Sequence, residues 1–558
     1  MALSEIIFNR IASGLGRPLT GQDHISSMVF YTAGNLPSGF GTSDRIKKIF
    51  SVKEAQDLGI LDQHADETVA TGGQVTVTGT WIIGEIVRIE IDGASIGQFT
   101  LTAITITSLV AGLVAAINAE TNTGRNHGWV ATDANPIITL VQPAKLGLKN
   151  DTGTPIVFVD RNAGDTAPSA GGNSTDVQMS GGVGAYFAVL HYHISEFFRL
   201  QPKGVLFVGI FAQGTYDAEE INTVQTFADG AIRQMGVYVS HETFTAGALT
   251  TTQGVLDTLE GLDQPLSVVF HSDMSSATLS NLATLQTLSN ERVTMLIGEE
   301  GDYHQPAYVN TKAYVAGEKV IFQGGAYQAK SAIAVASPGD NPGPFDASDW
   351  VFLRDNLQGV NGFSIGTTGV TLGTVAFALV HESIAWVEKF PLVTGTGLDE
   401  VAFATGDLYK DISASLKDTL DDFHYVFLRK QQGLSGTWFS DSLTAIIITN
   451  DFATIENVRT MDKAVRNIRT NNLPNLNRPL YVNEDGTLSE DTIAIFKNDT
   501  DKALEAMEID GEVSFFEVTI DPLQNVLSTS KIIIGVQIIP VGVAREIQFD
   551  IGFVLKIA

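Results

Sequence analysis

The chain has 558 residues, too many for one hydrophobic core, so about three or four domains are expected. Lys plus Arg number 34 against 63 Asp plus Glu, a formal charge of −29. That balance argues against a nucleic-acid binder, which needs cations to displace phosphate counterions, and against electrostatic docking on an anionic membrane. With no cysteine, disulfides, thiolate metal sites and a Cys nucleophile are excluded.

Hydrophobic residues at 44% and charged residues at 17% describe a folded, core-rich chain, and 54 Gly against 17 Pro predict many tight turns. The opening Met1-Ala2-Leu3-Ser4-Glu5 lacks the basic-then-apolar pattern of a signal peptide. Residues 1–66 hold a short apolar opening, a Gly-rich stretch (Gly34, Gly39, Gly41) and an amphipathic segment. In that segment Ile46, Ile49, Phe50 and Val52 lead into Ala55, Leu58 and Ile60, a helix-like spacing closed at Gly59. Residues 67–180 change character: the runs beginning at Gln74 and Ile86 are rich in Val, Ile and Thr and predict strands. A helical patch follows at Leu109, Leu113, Ala116 and Ile117, then strands to Val159 and a linker-like stretch over Asn162–Gly184. The segment has the boundaries of an inserted domain.

Residues 185–305 alternate strand and helix, with Val205–Phe211 a buried strand, Asp217–Gln234 helical, Val237–Val239 a strand and Leu279–Leu288 preceding the strand at Val293. Alternation of that kind implies an α/β layer. Residues 306–356, with short β runs near Tyr314, Val320 and Tyr327 and a Pro/Gly/Asp-rich end, read as a second, smaller insert. Thr367–His381 resumes as a helix. Beyond residue 420 the pattern is most regular: strands at Phe423–Leu428, Thr444–Thr449, Phe515–Ile520 and Ile532–Ile539, a helix at Ile455–Thr470 and a hairpin signal at Asp485-Gly486. The chain closes on near-strict period two, in which Ile547, Phe549, Ile551, Phe553, Leu555 and Ile557 share one face. A one-residue slip would turn all six to solvent, so their register is tightly specified. The longest apolar runs, Ile104–Ile117 and Ile532–Ala544, fall short of the roughly 20 residues of a spanning helix. The fold class expected is α+β (mixed α/β) and multi-domain.

Chemistry-bearing motifs are few. None of the phosphate-loop, nucleophile-elbow, HExxH or EF-hand patterns occurs, and no catalytic residue or cofactor is assigned. His191-x-His193-x-x-Glu196 is the best metal-like cluster, two His at i, i+2 on an expected strand, but without a third ligand at a telling distance a structural pair is the stronger reading. Arg459, Lys463, Arg466 and Arg469 recur at helical spacing and share a face. In an acidic chain that stripe has two readings: a salt-bridged helix face, or a contact surface for an acidic partner.

The stretch from Tyr409 onward resembles the tail sheath proteins of contractile-tailed phages, especially the Mu-like branch. The residues that carry this are Gly433–Asp441, Thr449–Arg466 and Pro540–Phe553, with His193–Arg199 and His381–Val387 as further pieces. The resemblance implies a sheath core begun by an N-terminal arm in 1–66, interrupted by β-rich insertions at 67–180 and 306–356, continued through 181–305 and 357–420, and closed by a C-terminal core domain, 421–558. It implies a terminal strand exchanged between neighbours, hexameric rings stacked helically around a tail tube protein, and contacts with baseplate and tail terminator proteins. It further implies tube contact by Arg459, Lys463, Arg466 and Arg469, a place in the virion tail after assembly in the host cytoplasm, and neither nucleic-acid binding nor membrane embedding. The small insert resembles a chitin-binding-type carbohydrate module through Tyr314, Gly317, Val320, Gly324, Tyr327, Ala329, Pro342 and Trp350. Its implied glycan or decoration surface is Tyr314, Tyr327 and Trp350, although Ser331 and Ala332 stand where that pattern places further aromatics. The alternative to a sheath subunit is a surface adhesin or other structural assembly protein with a carbohydrate-binding insert.

Overall fold

The computed structural model describes residues 22–33, 36–62, 73–91, 94–120, 127–143, 156–162, 172–177, 186–309, 311–334, 343–355, 357, 364–393, 398–549 and 551–553. Its centre is a seven-stranded sheet made of β1 (Ile25–Thr32), β2 (Ile46–Ile49), β3 (Val205–Ala212), β4 (Gln234–Thr243), β5 (Ser267–Asp273), β6 (Val293–Leu296) and β7 (Tyr425–Val426). The order is β7-β6-β5-β4-β1-β3-β2, parallel throughout except for the antiparallel edge strand β2.

Why the strands are continuously apolar follows from that arrangement. A parallel sheet is covered on both faces, so both sets of alternating side chains need apolar neighbours. Met28 and Phe30 of β1 join Leu206, Val208 and Ile210 of β3 in one core, while Val29 and Tyr31 join Val205, Phe207 and Phe211 in another. The first core is roofed by helices α3 (Tyr186–Leu200) and α6 (Thr368–Phe377). The second is roofed by α4 (Glu219–Phe227) and α5 (Ala246–Gly261), with Leu420 of α7 (Ala414–Asp422) packed into it. Helices α3 and α6 cross so closely that a Cβ at Gly369 would lie 2.2 Å from the carbonyl oxygen of His193, which only glycine avoids.

Two segments fold on cores of their own. Residues 73–177 form a four-stranded and a three-stranded sheet around helix α2 (Ile106–Glu120), with Val75, Ile89, Leu113, Ile117, Trp129 and Ile138 buried between them. A smaller three-stranded sheet (Lys319–Phe322, Gly325–Ala329, Trp350–Asp355) closes over Tyr314, Val320, Ala329 and Trp350. The C-terminal part is helix α8 (Ile455–Asn472), helix α9 (Glu490–Ile509) and a hairpin of β8 (Val513–Ile520) with β9 (Ile534–Pro540), around Ala464, Leu504, Met507, Val513 and Val518. Several sheets and many helices on separate cores make the chain an α+β, multi-domain protein.

Several elements differ from the sequence expectation. Ile46–Ile49 is a strand, and the helix after it, α1 (Val52–Asp57), starts only at the Ser51 cap, whose hydroxyl accepts from the Glu54 amide. The helix expected over Asp217–Gln234 stops at Phe227, because Asp229 and Gly230 take positive φ. Leu279–Leu288 holds a single 3-10 turn. Thr444–Thr449 is irregular, held by one bridge between Asn290 and Ala445. The stretch read as a linker contains a strand, Gly172–Val177, paired along the whole of Gln74–Gly79; polar Thr and Ser concealed it.

Candidate functional site

The hairpin buries one face and exposes the other. Phe516, Val518 and Ile520 of β8 sit opposite Ile538, Val536 and Ile534 of β9, and this face covers helices α8 and α9. The outer face leaves Phe515 and Ile539 more than half exposed. Among the described residues the sheet has only these two strands, so each has one edge that pairs no further strand.

After Pro540 the chain crosses the body and is fastened at Arg545. Its guanidinium donates to both carboxylate oxygens of Asp441 at 3.0 Å, to the Ser442 hydroxyl and to Glu456 at the start of α8. Burial pushes the Glu456 carboxyl up, and Arg545 opposes that. A cleft of about 690 Å³ lies at this crossing, walled by Trp386, Asp421, Arg429, Phe439, Val543 and Arg545. Asp421 at its wall is raised to about 6, burial being the main cause and Asp441 adding to it.

Past the anchor the apolar side chains of the tail stand in solvent among the described residues. Ile547 is 70% exposed, Phe549 77% and Ile551 92%, and Phe553 is fully exposed. Among the described residues, 541–549 and 551–553 join no strand ladder, although the sequence periodicity reads as a strand. Leu555 and Ile557 lie outside the described residues. Sequence reasoning missed Arg545, Asp441 and Glu456, since nothing in a single sequence links residues a hundred positions apart.

The basic stripe on α8 turns inward. Arg459 is buried and donates to the carbonyl oxygens of Ala378 and Leu379. Burial lowers its guanidinium to about 10, against the pull of Asp23. Lys463 pairs with Glu512 and, at 3.0 Å, with Asp23; Arg466 also pairs with Asp23. Burial pushes the Asp23 carboxyl up, but Lys463 and Arg466 outweigh it and hold Asp23 below the usual range. Arg469 pairs with Asp263 at 2.9 Å, both half-exposed. These cations tie the chain's start, α8 and the hairpin together, so Arg459, Lys463 and Arg466 are engaged within the chain rather than offered to a partner.

The other sequence candidates also move. His191 and His193 stand on helix α3, not on a strand, so at i, i+2 they point to different sides. His191 meets Gln56 and Ser195. His193 is buried, accepts from the Gly369 amide at 3.3 Å and lies 4.7 Å from the ring of Tyr238. Burial lowers its imidazole to about 3, with His271 adding to the effect. Among the described residues no group of three or more His, Asp and Glu is placed to hold a metal ion. Tyr314 and Trp350 are buried in the small insert, their ring centroids 5.1 Å apart, and Tyr327 is partly buried. Tyr314 and Trp350 are that insert's core and cannot stack on a sugar, because each ring face is already covered.

In parallel sheets ligands bind in the crevice where the strand order reverses, beyond the carboxyl ends of the strands. Here that crevice beyond β1 and β4 is filled by the chain's own rings: Tyr31 against Tyr216 and His241, with the Tyr216 hydroxyl on Thr252. Glu220 beside them is raised to about 7, chiefly by burial. Among the described residues no helix is long and apolar enough to cross a membrane.

A family model described as the C-terminal domain of DUF2586 matches residues 451–558, the span of α8, α9, the hairpin and the tail. No curated protein matches the chain. Among solved structures, the anti-feeding prophage baseplate contains a chain 11% identical, at a TM-score of 0.39 over 65% of this chain and 80% of that one. The contracted sheath complex of the PVC extracellular contractile injection system is 10% identical, at 0.38 over 66% and 80%. A sheath tail protein from Desulfitobacterium hafniense is 12% identical, at 0.32 over 96% and 100%.

Proposed function

We propose that this chain is the structural subunit of a contractile tail sheath, which polymerises helically around a tail tube and shortens to drive it through a target cell envelope. The observation that supports this most is the pairing of an exposed apolar tail with a two-stranded hairpin that meets no third strand among the described residues. One copy carries both halves of a joint that only another copy can close, by adding a strand to an open sheet edge. Repetition of such a head-to-tail joint with a rotation that does not close gives a helix of subunits. Backbone hydrogen bonds hold the joint while the chain beyond the Arg545 anchor lets bodies rotate, as a lattice moving between two packings requires. Of the sequence motifs that resemble tail sheath proteins, Pro540–Phe553 covers the tail itself, and two others contain Asp441 and Glu456, which hold Arg545. Hexameric rings, a tail tube protein, a baseplate, a tail terminator and a place in the virion tail belong to the same proposal. Of the basic stripe, Arg469 is the side chain we retain as a tube contact, being half-exposed.

Electron microscopy of the purified protein in negative stain tests the proposal. Striated hollow cylinders are expected; a monodisperse monomer at high concentration across all salt conditions would overturn it, and fibres would favour the adhesin.

A further inference from the structure

The small insert touches both the body and the large insert. On the body side, Arg354 pairs with Glu300, whose side chain is 1% exposed, and its guanidinium lies 5.6 Å from the Tyr303 ring centroid. Glu300 also accepts from the Leu398 amide at 3.0 Å. Lys319 donates to Asp302 at 2.6 Å. On the other side, the Trp129 indole N–H of the large insert donates to the Gln323 carbonyl at 2.9 Å. Gln323 occupies the tight turn between two strands of the small insert, at φ +42. A second contact lies nearby: Gly343, at φ +58, sits so near Ala94 of the large insert that an added Cβ would meet the Ala94 methyl at 3.1 Å.

We propose that the small insert is a strut: it clamps to the body through Arg354 and Lys319 and holds the large insert in one orientation through Gln323 and Gly343. Three observations carry this. The body contact is a buried ion pair, which leaves a stranded charge if either partner is lost and so resists detachment. Its own core, with Tyr308, Tyr314 and Trp350 packed at centroid distances of 5.1 to 5.9 Å, is stiff enough to transmit position. The large insert has a complete core of its own, and a domain of that kind moves relative to its neighbour unless an interface fixes it. The inserts, far apart in sequence, are thereby one docked unit rather than two separate decorations. The strut does not depend on the sheath reading.

The absence of cysteine makes the test direct, because two introduced cysteines carry all the label. Spin labels at Ala115→Cys on the exposed side of α2 and Thr258→Cys on the exposed side of α5 report the distance between large insert and body by electron–electron resonance. The parent chain should give one narrow distribution. Replacing 307–355 by a Gly/Ser bridge, with Glu300→Gln so that no buried charge is stranded, should widen it to roughly twice the width, as for a domain without a fixing interface. Trp129→Phe with Gln323→Ala should widen it less and leave the fold intact, which keeps the test decisive if the bridged chain does not fold. An unchanged narrow distribution in either folded variant would overturn the strut.

Discussion

In the body, strand Ile25–Thr32 has a parallel neighbour on each side, helices on both faces, and burial from Ser26 onward; in the C-terminal region, among the described residues, each hairpin strand has one neighbouring strand and the tail joins no ladder. Both regions use alternating apolar residues. The body completes its pairing within one chain, so its stability is a property of that chain. The hairpin and tail leave apolar side chains, Phe515, Phe549 and Phe553 among them, exposed to solvent, and the proposed assembly covers them with another copy. The difference therefore separates what folds a subunit from what joins subunits, with Arg545 at the border.

Substitutions can break or sharpen that division. The largest effect is expected at Asp462, on α8, which accepts from Arg292 beside β6 at 2.9 and 3.0 Å with both side chains buried. Asp462→Ala strands the Arg292 charge and should cost about 3 kcal/mol, measured by urea unfolding, with Glu260 a partial substitute. Lys463→Glu with Arg466→Glu comes next, setting new carboxylates against Asp23 and Glu512. It should destabilise the isolated subunit by about 2 kcal/mol. Unchanged stability together with weakened co-assembly on a tube would instead make the stripe an outward contact.

A smaller effect concerns pH. The imidazole of His193 is held far below its unfolded value of 6.5, at about 3, so the unfolded chain binds the proton first. The stability it contributes is complete above pH 6.5 and is lost progressively as pH falls towards 3. His193→Gln keeps a neutral acceptor for the Gly369 amide. Its unfolding free energy should fall less than the parent's between pH 7 and 4.5, by roughly 2–3 kcal/mol. Parallel pH curves for the two chains would place the titration elsewhere.

How much of this the sequence reveals depends on the range of the interaction. Strand and helix periodicity is local, so β3, α6, α8 and the β8–β9 hairpin are legible from apolar spacing alone. Gly172–Val177 is not, because its pairing with Gln74–Gly79 lies in backbone hydrogen bonds that polar side chains do not advertise. The basic stripe is legible as a stripe, but its partners, Asp23 and Asp263, are hundreds of residues away, so its direction is not. The histidine pair misled through its secondary structure: an apolar run of this length suits strand or helix alike. The tail's period-two spacing predicts a strand, yet its described residues form none, because spacing alone does not say where a pairing strand lies.

The most direct test stops the chain after Glu546, which keeps Arg545 on Asp441 and Glu456 and removes the exposed apolar residues. Thermal unfolding and negative-stain microscopy are then compared with the full-length chain. The account predicts an unchanged unfolding midpoint and no cylinders, with the same result for Phe549→Asp combined with Phe553→Asp in the full chain. Normal cylinders from the truncated chain, or a body that no longer folds, would contradict it.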